Sequence, residues 1–358
     1  MYNNKKNIND LIKPSNDEKY LVIGSDLDSF LSASLFIKNN PNTRILGVYE
    51  ESERLYLDPL LLSKNPITGK DNTIEQKEIL NNTLWIDADI NKKNCNSLGH
   101  HIIRINKNDK LDCFMNSCNP NEIRKIDYTT FNRKYPLTTT QFLFIVYNES
   151  YDLNSNKENL IWWPDSSWII AQNYKDNCKD WLENFTNTLF PLGQSHNLPQ
   201  GQSNNLLLET FKNINTEPLI GFEERMQKFQ QELENEGFQQ GWGKTTSQVL
   251  KIKGFQLRCG FKNLSLLKKI SDFINKTNNW PSFYETIKEP EKFVPIKGQR
   301  YQKDIVVFDT GKINDTGKIK IGNSHYNNLD DFLKRENVFS YVFPFKKKIN
   351  YTIFPKIK

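Results

Sequence analysis

The sequence predicts an α/β fold, a parallel sheet followed by a smaller α+β domain. Three observations lead there. Short apolar runs alternate with helical stretches through the first half of the chain, the pattern of a parallel sheet with crossover helices. Acidic residues sit just past the ends of two of those runs. Strand-like segments then resume after residue 248, interleaved with short amphipathic helices.

The elements follow in order. Tyr20 to Gly24 is a compact apolar run and reads as the first strand. Ser29 to Asn39 carries Phe30, Leu31, Ala33, Leu35, Phe36 and Ile37, a spacing that suits a buried helix. Arg44 to Tyr49, Leu84 to Ile86 and Ile102 to Ile105 read as the second, third and fourth strands. Pro136 is expected to open a helix through Tyr147, in the first-turn position that proline favours. Four of the seven tryptophans, Trp162, Trp163, Trp168 and Trp181, crowd the next stretch. Residues 191–205 are rich in Gly, Asn, Gln and Ser and read as linker, and Glu223 to Glu236 as a charged helix closed by Gly237. Beyond it, strands are expected at Val249 to Leu257, Asp304 to Phe308 and Val338 to Phe345, with helices at Leu264 to Phe273 and Leu329 to Leu333. The expected organisation is a sheet domain over 1–205, a linker helix region over 206–240 and a small α+β substrate-binding domain over 241–358.

With 358 residues, 37% hydrophobic and 12% aromatic, the chain can build globular cores, and its length fits two domains. Its formal charge of +6 suits a polyanionic partner such as a nucleotide or nucleic acid. The same excess arises in any Asn/Lys/Ile-rich chain written in AT-rich codons. No apolar run approaches the roughly 18 residues of a membrane span, so no membrane partner is expected. The polar start, Met1 to Asn9, is unlike a signal peptide. Five cysteines without metal-type or disulfide-framework spacing fit a reducing, cytoplasmic setting.

The chemistry concentrates at strand ends. Asp26 and Asp28 lie where the first strand gives way to a helix, and residues two apart in extended chain point to the same side. Asp87 ends the third strand and should reach the same C-terminal sheet edge, where such folds bind ligands. His100 and His101 follow, two of only four histidines. Carboxylates with one or two imidazoles suit Mn²⁺, Mg²⁺ or Zn²⁺. Each of these acids, taken singly, also serves as a turn former; the order and spacing of the set point to metal.

That order, Asp-x-Asp after a strand, Asp after a later strand, then a His-His pair, resembles the motifs of the DHH phosphoesterases. Gly99-His100-His101-Ile102 stands where that family has Asp-His-His and an apolar strand. Asn119-Pro120-Asn121 follows much as Asn-Pro follows the His pair in RecJ-type exonucleases, and Trp162-Trp163-Pro164-Asp165-Ser166 resembles the last motif. The resemblance covers roughly residues 19 to 190. It implies Asp26 on a first cation, Asp28, His100 and Asp165 on a second, Asp87 bridging the two, and His101 near the substrate phosphate. Asp87, His100 and His101 would be the catalytic group, with Mn²⁺ (or Mg²⁺) as cofactor. Two positions depart from the family. Gly24 stands where a further ligand to the first cation is usual, and Gly99 stands where the Asp that names the family supports the histidines. Another acid, such as Asp89, would restore the first cation site if it reached the gap at Gly24.

Other features have bland readings. Gly241 to Thr246 evokes a phosphate loop, but the residue five before Gly243 is Phe238 and a helix precedes it. Asp309-Thr-Gly311 and its repeat Asp315-Thr-Gly317 read as tight turns. Gly322 to His325 is a surface turn or a substrate contact. The tryptophans are core or a base-stacking platform. The basic Lys346 to Lys348 and Lys356 to Lys358 are solvated ends or phosphate contacts. The expected function is a divalent-metal-dependent phosphoesterase acting on a nucleotide, a short oligonucleotide or single-stranded nucleic acid. A catalytically impaired binding module on the same fold, and a pyrophosphatase or polyphosphatase, are the alternatives.

Overall fold

Lys19–Gly24 (β1) is buried along its full length, which is what a central strand covered on both faces requires. The computed structural model describes residues 11–50, 54–62, 79–93, 95–106, 109, 111, 117–147, 149, 156–164, 176–177, 180–181, 220–238, 245–246, 253–254, 259–308, 318–344 and 346–354. By its internal contacts the chain divides into two compact units. The first comprises Met1–Gly24, Asn40–Lys134 and Glu285–Lys358; the second comprises Ser25–Asn39 and Tyr135–Tyr284. The boundaries expected near 205 and 240 fall outside the described residues.

In the first unit, β1 lies between Thr43–Glu50 (β2) and Thr83–Ile86 (β4), parallel to both. Asn96–Leu98 (β5) and Ser117–Cys118 (β6) extend the parallel run beyond β4. On the other side, Arg54–Leu57 (β3) and Val294–Lys297 (β9) add antiparallel strands. Among the described residues this gives a mixed, mostly parallel seven-stranded sheet in the order β6-β5-β4-β1-β2-β3-β9. The reversal at β3 has a simple cause. Three residues separate it from β2, far too few for the crossover that a parallel neighbour needs. The short helix Pro59–Leu62 (α2) follows β3 directly.

The strands after residue 298 form a second, antiparallel sheet. Gln299–Val307 (β10) pairs with Ile319–Ile321 (β11) and Lys348–Ile353 (β14); Ser324–Tyr326 (β12) and Ser340–Val342 (β13) complete it. Helix Leu329–Arg335 (α8) joins β12 to β13. The predicted C-terminal strands and short helix are therefore present, and β9 ties this region into the first unit through its ladder with β3. Tyr49, Trp85, Phe339 and Phe354 share one core cluster there. Within it the Tyr49 hydroxyl lies 2.7 Å from Ser340 Oγ and donates to Thr352 Oγ1 at 3.0 Å.

One expected strand is corrected. Ile102, Ile103 and Ile105 are buried, but the segment Ile102 to Ile105 pairs in no ladder. Its carbonyls instead accept from elsewhere: Ile102 from Phe343 N–H, Ile103 from the Tyr341 hydroxyl, and Arg104 from Tyr128 N–H. The fourth parallel strand is the polar Asn96–Leu98, whose sequence carries no strand-like run. Asn96 Nδ2 there donates to the carbonyls of Leu80, Asn81 and Thr83.

In the second unit, Leu27–Asn39 (α1) packs against Thr139–Val146 (α4), with Ser32 Oγ 3.0 Å from Thr140 Oγ1. α4 starts three residues after Pro136. A reciprocal cap fixes its start: Gln141 N–H donates to Thr138 Oγ1, and Thr138 N–H donates to the Gln141 side chain. Asn156–Trp162 (α5) and Ile220–Asn235 (α6) follow. α6 ends as the sequence predicts, with Gly237 at φ 76° and its N–H on the Glu234 carbonyl. Of the strand expected over Val249 to Leu257, the described part is Lys253–Gly254 (β8), paired antiparallel with Thr245–Thr246 (β7). Leu264–Asn278 (α7) ends on Asn279 in the left-handed region. Trp162, Trp163 and Trp181 are buried, and Trp163 meets Phe229 edge to face; these tryptophans are core, not a stacking surface. Trp168, the residues Gly241 to Lys244, the two Asp-Thr-Gly turns and Lys356 to Lys358 lie outside the described residues.

The Tyr49 hydroxyl gives a direct test of the link between β2 and the second sheet. Tyr49→Phe leaves Ser340 and Thr352 buried with one partner fewer. It is expected to lower unfolding stability by about 1–3 kcal/mol in a denaturant titration.

Candidate metal and phosphate site

Three neighbouring parallel strands deliver the side chains of interest. Ile86 pairs with Leu98, and Leu98 with Cys118. The next residues on each strand, Asp87, Gly99 and Asn119, therefore emerge together at the C-terminal edge. Past β4 come Asp87 and Asp89; past β5, His100 and His101; past β6, Asn119 and Asn121.

Asp87 has φ 58°, in the left-handed region. Aspartate tolerates that conformation better than most residues, yet it costs about 1–2 kcal/mol. Its Oδ1 lies 3.3 Å from His100 Nδ1, and both side chains are nearly buried. The His100 pKa is pushed well below its ordinary value of 6.5, first by burial, then by His101 and Lys134. The pair is thus a neutral imidazole beside a carboxylate rather than an ion pair. A neutral imidazole is also the form in which histidine binds metals.

His101 stacks on His100 with ring centroids 4.2 Å apart. Its Nδ1 lies 3.2 Å from Asp89 Oδ2. The Asn-Pro-Asn segment holds the backbone of the pair. Asn119 Nδ2 donates to Asp89 Oδ1 and to the His101 carbonyl, both at 2.8 Å; Asn121 Nδ2 donates to the His100 carbonyl at 2.9 Å. Asn119 Oδ1 meanwhile caps the short helix Pro120–Ile123 (α3).

Asp26 and Asp28 belong to the second unit. Asp26 is the cap of α1: its Oδ1 accepts from Ser29 N–H at 3.2 Å and its carbonyl from Phe30 N–H. Asp28 is deeply buried, and its carboxylate receives the N-terminus of α4. Thr139 N–H donates to Oδ2 and Thr140 N–H to Oδ1, each at 2.8 Å; the Thr140 hydroxyl adds a 2.6 Å bond to Oδ1. Sequence spacing does not show this second role, though the Thr138-Thr139-Thr140 run opening α4 is its partner. Asp165, expected as a ligand, lies outside the described residues. Gly24 is the buried last residue of β1 and brings no donor. The Asp89 carboxylate accepts from His101 and Asn119. Gly322 and Asn323 form the turn of the β11–β12 hairpin, and Ser324 and His325 open β12, where His325 stacks on Phe308.

Comparison with family models, with curated proteins and with solved structures gave no match. Among the described residues, no helix is long and apolar enough to cross a membrane.

Two outcomes follow from these contacts. With chelator present, Asp28→Ala is expected to cost about 1–3 kcal/mol by orphaning the Thr139 and Thr140 amides. A cost of that size without any cation, read in a denaturant titration, identifies the cap as a role separate from metal binding. The second concerns pH. A histidine with a depressed folded pKa is stabilising above the unfolded value and loses that contribution as pH falls through 6.5, because the unfolded chain takes up a proton that the folded state refuses. The metal-free protein should lose stability on acidification, with up to about 1.4 kcal/mol per pH unit from this group. His100→Gln should flatten the profile between pH 6.5 and about 5, within the range where an unperturbed histidine titrates; parallel profiles would count against the assignment.

Proposed function

We propose that this chain is a divalent-cation-dependent phosphoesterase of the DHH type, acting on nucleotides or short single-stranded nucleic-acid phosphodiesters. The observation that carries the reading is the paired arrangement of Asp87 with His100 and Asp89 with His101 at the C-terminal ends of adjacent parallel strands. The order of these residues along the chain is the second support. Within the first unit the proposed ligands for one cation are Asp87 and His100, and the order of the motifs along the chain adds Asp28; carboxylates with an imidazole are a donor mix that suits Mn²⁺ (or Mg²⁺). The strained backbone at Asp87 fits a residue whose position is set by a site. When bound, the cation supplies Lewis-acid stabilisation of charge on the phosphoryl oxygens.

The chain's own groups then have distinct roles. Asp87 and His100 hold the cation, the imidazole being neutral and ready to coordinate. His101, about a third exposed, is open to solvent on the same edge and offers its imidazole to a substrate phosphate. Asn119 and Asn121 fix the main chain on which both histidines stand. The formal charge of +6 favours a polyanionic substrate.

A specific observation supports a second reading, a binding module with a weakened metal centre: Gly24 offers no donor, and both Asp28 oxygens already accept amide hydrogens. The test is a Mn²⁺-dependent hydrolysis screen over short RNA, short DNA, cyclic dinucleotides and pyrophosphate, with Mn²⁺ titrated calorimetrically in parallel. One tight site and a weak second one are expected, with hydrolysis rising at high metal concentration. Asp87→Ala is expected to abolish turnover. Binding of nucleic acid without turnover or Mn²⁺ uptake would favour the binding module, and turnover confined to pyrophosphate would move the substrate class.

A further inference from the structure

Asp89 is a buried carboxylate, 3% exposed, whose surroundings single it out. Burying such a group is costly unless it is well hydrogen-bonded. Its oxygens meet the His101 backbone N–H at 3.4 Å, the His101 Nδ1 at 3.2 Å and the Asn119 side-chain amide at 2.8 Å. Two of these three contacts are with His101, and the third is with the asparagine that also grips the His101 carbonyl. The carboxylate thus holds ring and main chain of one residue together.

The neighbour that permits this is Gly99. A β-carbon built there would sit 2.1 Å from Asp89 Oδ1, 2.4 Å from Cγ and 2.6 Å from Oδ2. No side chain at 99 can coexist with the Asp89 carboxylate where it stands. All three atoms of the carboxylate group fill the volume in which a residue at 99 would begin its own side chain. Positions 89 and 99 therefore compete for a single carboxylate site beside His101.

We propose that Asp89 is the positioning residue for His101. It accepts the Nδ1 proton and so fixes the tautomer and ring plane of the free imidazole, leaving Nε2 as the nitrogen that takes up a proton in order to donate to a substrate phosphate oxygen. Glycine at 99 is the condition for the carboxylate to be supplied from β4 instead of from β5. The role assigned to Nε2 rests on the phosphoesterase reading above; the placement of the Nδ1 proton does not.

The test relocates the carboxylate. Four variants are compared with the parent: Asp89→Ala, Asp89→Asn, Gly99→Asp, and the double variant Asp89→Gly/Gly99→Asp. Each is read by thermal melting, by ¹⁵N–¹H correlation of the His101 imidazole, and by kcat and KM with Mn²⁺ and the substrate found in the hydrolysis screen. Asp89→Ala should mix the His101 tautomers and lower kcat by about 10–100-fold, the range for losing a partner that orients a functional side chain. Gly99→Asp alone should melt well below the parent, because both carboxylates claim one volume. The double variant should regain the parent tautomer and most of kcat. Asp89→Asn, which keeps the packing, separates loss of charge from loss of fold. A folded double variant whose His101 spectrum and kcat stay at the Asp89→Ala level would overturn the proposal. So would an Asp89→Ala protein with an unchanged tautomer. If no substrate is hydrolysed, the imidazole spectrum still decides the role of Asp89, and only the phosphoesterase reading falls.

Discussion

The pairing of three short parallel strands, β4, β5 and β6, is the constraint on which the site depends. Their ladders align Ile86, Leu98 and Cys118, and everything chemically distinctive follows within three residues of those positions. A slip of one residue in either ladder would reverse which face each side chain occupies. Asp87 would then leave His100, and Asn119 would leave the His101 carbonyl. The strands are too short to hold that register unaided. Additional bonds reinforce it. Ala88 N–H donates to the Leu98 carbonyl, Gly99 N–H donates to the Cys118 carbonyl, and the Ser97 and Ser117 hydroxyls meet at 2.7 Å.

The second sheet supports the same edge from within the first unit. Asn91, just beyond the two acids, donates its backbone N–H to the Phe339 carbonyl and its side-chain amide to the Val338 carbonyl. Ile90 and Ser340 form an isolated bridge. The Tyr341 hydroxyl reaches the Ile103 carbonyl, just after the histidines. Both loops that carry the candidate chemistry are thus anchored on β13 and the residues leading into it. Loops that hold function on rigid supports are a general device, since precision in the side chains needs a main chain that does not drift. The C-terminal region acts here as a brace for the strand-end loops.

The second unit shows why an acid can be misread from spacing. Asp26 and Asp28 sit two apart after a strand, which in extended chain would aim both the same way. The helix begins earlier than its apolar pattern suggests, at Leu27, so Asp26 becomes its cap and Asp28 lies in its first turn. Asp28 then meets a second helix end, where two amide hydrogens and a hydroxyl surround its oxygens. Negative charge at a helix N-terminus is favourable in its own right.

The amino-acid sequence determined the α/β class, the central strands at Lys19–Gly24, Thr43–Glu50 and Thr83–Ile86, the helix after the first of them, and the acids and histidines worth attention, because apolar runs and strand-end acids are local signals. It did not determine the strand at Asn96–Leu98, which is polar and held by Asn96 bonding to three carbonyls, nor the loss of Ile102 to Ile105 from the sheet. Only the tertiary structure decided that Asp89 serves His101 and that Gly99 makes room for it. Two residues ten apart in sequence can share one volume only when two strands are in register, and register is a property of the ladder, not of either segment.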